Sequence, residues 1–477
     1  MRLSQGKIFS AISLVFFVFL LLLITDITPY VRGPIDPILP SRWPYYFINT
    51  FAKIWAPGLV VFLFFSSFYY FFDKVLNKKK EILFLMSLVL IIFLFQISLV
   101  FFSRFGINVL FRRMADPGIN GYFSTAVRVK DINSYLKNFP NVVAYLDQHG
   151  RGHPPGSILA IKEVIYFFDN NKTLTKIIYS HIPKPTGEAL KLWNNLTISQ
   201  RVSSVMIPFL LHFLAAFSIV PFYFAAKNLF NQKTAIRSVF LYSAIPSLSF
   251  FALLFDPVYS FFPLISFLFL LKFFKTKKIL YAFFSGLIFG LGLFFSVSII
   301  PYMGIMFFYT LLSVKKSSVL LIPFLIWLLG FLIFLLLPLL FSYNSITSIA
   351  AVVKHQLPRE YLIWVFFNPY DFFMFMGVPI SLLFFYSTFC SLRIKGKDFL
   401  QKNALLISFW IVFLLLVILG ISRGEVGRIW LSLMSIPVFL VSQFTLRINL
   451  NKKYFSILLL LVFLQVIAME EFWVPIW

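Results

Sequence analysis

The groups able to do chemistry are concentrated in one polar stretch, 103–201. Arg112 and Arg113 precede Asp116, which sits beside Pro117-Gly118, and the run His149-Gly150-Arg151-Gly152-His153-Pro154-Pro155-Gly156 follows. A carboxylate offers a general base for a hydroxyl, or one ligand to a divalent metal such as magnesium or manganese. Arginine offers a planar fork for phosphate, and glycine lets a backbone approach closely. For Asp116 a local reading competes, because Asp-Pro-Gly is ordinary turn chemistry. His149 and His153 would share a helical face, but the glycines and Pro154-Pro155 oppose a helix there. Zinc would need further ligands, so polar contact with a glycan or phosphate is the better use of Arg151 and His153. The proline pair instead predicts a helix from Gly156 to Phe167.

Other candidates lie far downstream. Asp256 falls where two apolar runs meet with almost no loop, at Phe255-Asp256-Pro257. A carboxylate at the centre of a bilayer costs roughly 2.5–3.5 kcal/mol, and less at its edge. It therefore needs a partner, or a capping role before Pro257. Arg423, Glu425 and Arg428 cluster between two more apolar runs, where an arginine binds a lipid phosphate or snorkels to headgroups. Lys354, His355 and Arg359 read as a solvated face. No phosphate-binding glycine loop, dinucleotide fingerprint or His-Glu-x-x-His motif occurs. An outward-facing transferase without nucleotide sugars would depend on a lipid-carried donor.

The elements that must position these groups are apolar helices. The 477 residues are 60 % hydrophobic and only 12 % charged, the composition of a polytopic membrane protein. About thirteen runs approach the roughly 20 residues needed to cross a bilayer. The fold expected is all-α, with about thirteen transmembrane helices and a large outer loop, 103–201, carrying short interfacial helices. Its divisions are a two-span addition (1–80), a membrane core (81–447) and a last span with an outer tail (448–477). The net charge of +25 lies mostly in short connections, which fits cytoplasmic loops and not nucleic-acid binding. Loops assigned to the inside hold 22 of the 42 Lys and Arg, but only Asp73, Glu81 and Asp398 among the acids. The polar stretch then faces outward, as expected of a prokaryotic plasma-membrane enzyme acting outside. The single cysteine, Cys390, allows no intrachain disulfide.

Five segments follow one another over roughly 80–440: Gly121-Tyr122-Phe123-Ser124-Thr125-Ala126, His153-Pro154-Pro155-Gly156, the Asp256 junction, Asn368-Pro369-Tyr370-Asp371-Phe372 with Gly377, and Gly424-Glu425-Val426-Gly427-Arg428-Ile429-Trp430. Together they resemble the polytopic glycosyltransferases of the C superfamily. The branch is that related to protein O-mannosyltransferases and lipopolysaccharide core galacturonosyltransferases. The resemblance implies inverting transfer of a sugar from a polyprenyl phosphate to a glycan, lipid or protein acceptor. It points to Asp116 as base or metal ligand, Asp256 as a supporting carboxylate, and Tyr122, His153, Glu425 and Arg428 as substrate contacts. The family's acid usually follows the first span, which leaves Asp26 as the alternative to Asp116. A transporter or flippase of an anionic lipid is the competing function, although no repeated halves are visible.

Overall fold

The computed structural model describes residues 4–38, 42–46, 51–103, 106, 108–314, 321–355, 359–393, 396 and 398–473. Lys315, Lys316, Lys395 and Lys397, used above to orient the chain, lie outside the described residues. Among those described, every named element is a helix, and the one β-contact is an isolated bridge between Tyr45 and Trp473. The expectation of an all-α polytopic protein holds.

Among the described residues, six helices are long and apolar enough to cross a membrane: Gln5–Thr25, Lys78–Phe102, Ile198–Leu229, Asp256–Thr276, Leu321–Phe341 and Lys452–Phe472. A seventh candidate is a pair, Tyr361–Phe375 and Val378–Leu392, bent by 108°. The remaining apolar helices have 10–17 residues, short of a full crossing by length alone. The count of thirteen is therefore not established.

Local chemistry explains where these helices begin and break. Ser4 accepts a hydrogen bond from the Lys7 amide, and Asn77 accepts one from that of Lys80, so both helices start at side-chain caps. Thr197 and Gln200 form a reciprocal capping box at the start of Ile198–Phe217. The apolar run 236–254 is interrupted. Gln232–Ala244 ends at Ile245, whose backbone is extended, and Pro246 opens a new short helix. Proline has no N–H to continue the ladder and disfavours helical geometry in the residue before it. The 108° bend turns at Gly377, with φ of +100°, a backbone region open mainly to glycine. The bend falls within one apolar run, so that run is two helices in place of a single straight span.

The polar stretch is itself folded into short helices, including Asn108–Ala115, Tyr122–Arg128, Ile132–Val142, Gly156–Asn170 and Lys172–His181. The predicted helix after Pro154-Pro155 forms, and runs on to Asn170. It packs against Tyr122–Arg128 and Ile198–Phe217. A Cβ on Gly156 would stand 2.5 Å from the Phe294 carbonyl oxygen, so only glycine lets this helix start so close to the bundle. At the other end of the chain, Lys452–Phe472 packs on Gln5–Thr25 and on Val378–Leu392. The boundary drawn at residue 80 falls in the first turn of Lys78–Phe102, which packs on Trp55–Phe71.

Candidate functional site

The site is built where four distant segments end together. The helix Ala404–Leu419 stops at Gly420, in left-handed geometry. A loop then leads to Glu425, whose φ of 58° is unusual for a residue with a side chain, and a four-residue helix, Val426–Ile429, presents Arg428. Asn368 and Asp371, on the first limb of the bent pair, hold this loop. The Asn368 side-chain oxygen Oδ1 accepts from the Gly424 amide at 2.9 Å, and Asp371 Oδ2 accepts from the Gly427 amide at 2.8 Å.

Arg428 is the hub of a buried charge network. Its Nη1 donates to Asp256 Oδ2 at 2.9 Å, and its Nε to Glu425 Oε2 at 3.0 Å. Its Nη2 reaches the same Glu425 oxygen and lies 3.4 Å from His149 Nδ1. The other Glu425 oxygen pairs with Arg359. Two carboxylates and two guanidiniums thus neutralise each other away from water, the arrangement that buried charges need. Burial alone would raise the Glu425 carboxyl, but the Arg428 and Arg359 guanidiniums outweigh it and hold it well below the usual carboxylate range.

Two atoms of this network have no partner among the described residues. Asp256 Oδ1 and His149 Nε2 are both buried without a hydrogen bond. A guanidinium only donates, so His149 Nδ1 accepts from Arg428 and the ring proton sits on Nε2. Burial, reinforced by the Arg428 charge, pushes His149 down to about 4 and keeps it neutral near pH 7. The cluster therefore offers one unused acceptor on Asp256 and one unused donor on His149, each carried by a group bonded to Arg428. A hydroxyl can both accept and donate, the two roles these atoms leave open. Asp256 does not cap its own helix.

Aromatic residues pack beside this pair. His153 is extended, and its Nδ1 lies 3.1 Å from Ser296 Oγ. Its ring meets those of Tyr122 and Tyr259 at centroid distances of 5.7 and 5.2 Å. Tyr259 and Ser157 share a hydrogen bond of 2.6 Å. Burial pushes His153 down to about 4, and pushes the Tyr122 phenol up. His149 and Arg151 fall on a short 3-10 turn, Gln148–Gly152, not on the α-helix that would have aligned the two histidines.

Of the residues singled out from the sequence, Tyr122, His153, Asp256, Glu425 and Arg428 come together here. Others do not join them through any described contact. Asp116 Oδ1 accepts from the Gly118 amide at 2.9 Å, and its Oδ2 is 3.9 Å from Arg112. Arg112 also faces Glu188 at 3.7 Å. Arg151 donates to the Leu146 carbonyl at 2.6 Å, which ties its own turn. Arg113 turns into a separate small cavity lined by Gln96, His212, Ser249 and Glu470. Asp26 is held by both forks of Arg32, at 2.7 and 2.8 Å.

Arg359, read as part of a solvated face, is buried, because Glu425 draws it in and the Trp364 ring stacks 5.3 Å from its guanidinium. The signal for Asn368 and Asp371 was the Asn-Pro-Tyr-Asp segment, which resemblance flagged without assigning a role. Nothing in its sequence context marked His149 over His153.

A divalent metal does not fit these donors. Among the described residues no three His, Cys, Asp or Glu side chains are arranged to hold one. The Arg112 guanidinium stands against Asp116, and Asp256 and Glu425 are both engaged by arginine.

No family model matches this sequence, and no curated protein matches it. Among solved structures, the chain is similar to the Archaeoglobus fulgidus oligosaccharyltransferase, determined in complex with zinc and sulfate, at 13 % identity and a TM-score of 0.39. The match covers 77 % of this chain but 52 % of that one, so this chain spans about half the length of that protein. The reading of the site rests on the site's own geometry.

Proposed function

We propose that this protein is a membrane glycosyltransferase that moves a sugar from a polyprenyl-phosphate donor to a hydroxyl of a glycan, lipid or protein acceptor, on the outer side of a prokaryotic plasma membrane. One observation carries the reading. Segments 149–156, 256–257, 368–371 and 424–428, each singled out in the sequence, meet in one buried network with an unused carboxylate oxygen and an unused imidazole N–H.

In this reading the acceptor hydroxyl accepts from His149 Nε2 and donates to Asp256 Oδ1. Asp256 takes the hydroxyl proton as the oxygen bonds to the anomeric carbon. The bond from that carbon to the phosphate oxygen breaks, and polyprenyl phosphate leaves with the electron pair, which inverts the anomeric centre. Arg428 orients Asp256 and places positive charge beside the forming phosphate. Glu425 and Arg359 fix Arg428 in turn.

The test is direct. Purified protein in lipid nanodiscs is given radiolabelled polyprenyl-phosphate sugar and hydroxyl-bearing acceptors, and glycoside and free polyprenyl phosphate are measured. Wild type forms both in equal amounts. Movement of the lipid between leaflets with no glycosidic bond formed would replace this reading with a flippase.

A further inference from the structure

Segment 26–46, described at 26–38 and 42–46 and read from the sequence as part of an N-terminal addition, lines one side of the network with these described residues. Tyr370 donates from its hydroxyl to the Val31 carbonyl at 2.8 Å. Arg32, Gly33 and Trp43 line a small cavity of about 20 Å³ together with Trp364, Asp371 and Glu425. At this wall stands Asp36, 3 % exposed. Its Oδ2 accepts from Trp364 Nε1 at 2.7 Å and from the Glu360 amide at 3.2 Å, while its Oδ1 accepts from the Ile38 amide at 2.8 Å.

These bonds matter because of what Trp364 and Glu360 carry. Glu360 follows Arg359 in the chain, and the Trp364 ring stacks on the Arg359 guanidinium. Arg359 also donates to the Arg423 carbonyl at 2.8 Å, and Arg423 returns a bond to the Arg359 carbonyl at 2.7 Å. Arg359 then holds Glu425, Glu425 holds Arg428, and Arg428 holds Asp256. From Asp36 through Trp364, Arg359, Glu425 and Arg428 to Asp256, each link joins largely buried side chains by a charged or polar contact, so a displacement at one end has little water to absorb it.

We propose that Asp36 is a positioning residue for the sugar-transfer site: through Trp364 and Arg359 it fixes the Glu425–Arg428 pair that aims Asp256. The inference rests on the transferase reading above. It makes segment 26–46 a working part of the site, one that the core from 81 onward lacks on its own.

The experiment compares Asp36→Ala, Asp36→Asn and Asp256→Asn, full-length and in nanodiscs, with kcat and donor KM measured per folded molecule. Asp36→Ala leaves Trp364 Nε1 and the Glu360 amide unpaired and loosens the chain of contacts. Its kcat is expected to fall about 10- to 100-fold with donor KM within about threefold of wild type. Asp36→Asn keeps an oxygen facing Trp364 and is expected to recover most of the rate. A lowered yield or melting temperature of Asp36→Ala with unchanged kcat per folded molecule would overturn the inference and make Asp36 purely structural. In that case Asp256→Asn is still inactive and the transferase reading stands. Should Asp256→Asn turn over normally as well, the transferase assignment of this site falls with it.

Discussion

Of the three Asp-Pro dipeptides in the chain, those at Asp116 and Asp256 have opposite fates. Asp116-Pro117 is followed by glycine, and its carboxylate folds back on the Gly118 amide while remaining about a quarter exposed. Asp256-Pro257 lies between apolar segments, and its carboxylate is 5 % exposed, with one oxygen on Arg428 and the other unused. A carboxylate in a solvated turn satisfies itself cheaply from its own backbone. One buried among apolar helices has to recruit a cation from elsewhere in the sequence, here 172 positions away. We propose Asp256 as the reactive one of the two, because fixed groups have replaced water around it and one of its oxygens is left without a partner among the described residues.

The comparison breaks most sharply at Asp256 itself. A general base contributes typically 10²–10⁴-fold, so Asp256→Asn is expected to slow transfer at least about a hundredfold. The amide keeps the shape of the side chain, and donor binding measured by filtration or fluorescence is expected to change little. Loss of binding in step with loss of rate would make Asp256 a donor contact and not the base.

Next comes Glu425, the member that faces both arginines. Glu425→Gln leaves Arg359 without its carboxylate in a buried site, and breaking buried pairs costs roughly 3–5 kcal/mol. A large fall in the thermal unfolding midpoint is expected, together with weakened transfer. Nothing comparable should follow at the Asp116 turn, where both partners are partly solvated. An unchanged midpoint would mean that water reaches the network.

The histidines beside Asp256 give a pH signature that the Asp116 turn lacks. His149 and His153 are lowered from 6.5 to about 4 by burial. The unfolded chain therefore binds more protons than the folded one between those values, and stability falls as pH drops from about 6.5 towards 4. The full effect is on the order of 3 kcal/mol per histidine, reached only below the folded value. Unfolding midpoints followed from pH 7 to 4 should decline, and His153→Gln should flatten part of that slope. A wild-type profile as flat as that of the double variant His149→Gln, His153→Gln would show that these rings are not buried neutral.

Much of this was legible before the fold was known, and the limits have physical causes. Apolar runs, capping residues and Pro154-Pro155 act locally, so the helical class and the helix from Gly156 could be read directly. The need of Asp256 for a partner was also readable, since burial between apolar runs follows from composition. The identity of that partner was not, because a contact across 172 positions leaves no local pattern. Arg359 was misread for the same reason. Its own neighbours, Lys354 and His355, look solvated, and only Glu425 and Trp364 draw it inside. The bend at Gly377 was not read either: Gly377 and Pro379 both weaken a helix, but the apolar run continues across them, and the +100° torsion shows the break. Segment 26–46 was read only as part of the two-span addition, because its bonds to Trp364 and Tyr370 are long-range.

The smallest effect is expected at Asp116, and it decides which Asp-Pro is the working one. Asp116→Asn keeps an oxygen able to accept from the Gly118 amide, so the turn survives. What it loses is the charge facing Arg112 at 3.9 Å, a pair about one third and one quarter exposed. Exposed pairs of this kind contribute roughly 0–1 kcal/mol. Stability should change by less than about 1 kcal/mol, and transfer should stay within about threefold of wild type. A folded Asp116→Asn protein that binds donor but transfers a hundredfold more slowly would reverse the comparison. The exposed carboxylate would then be the base, reached by the acceptor from solvent. The buried one would be an ion pair whose spare oxygen has no part in the reaction.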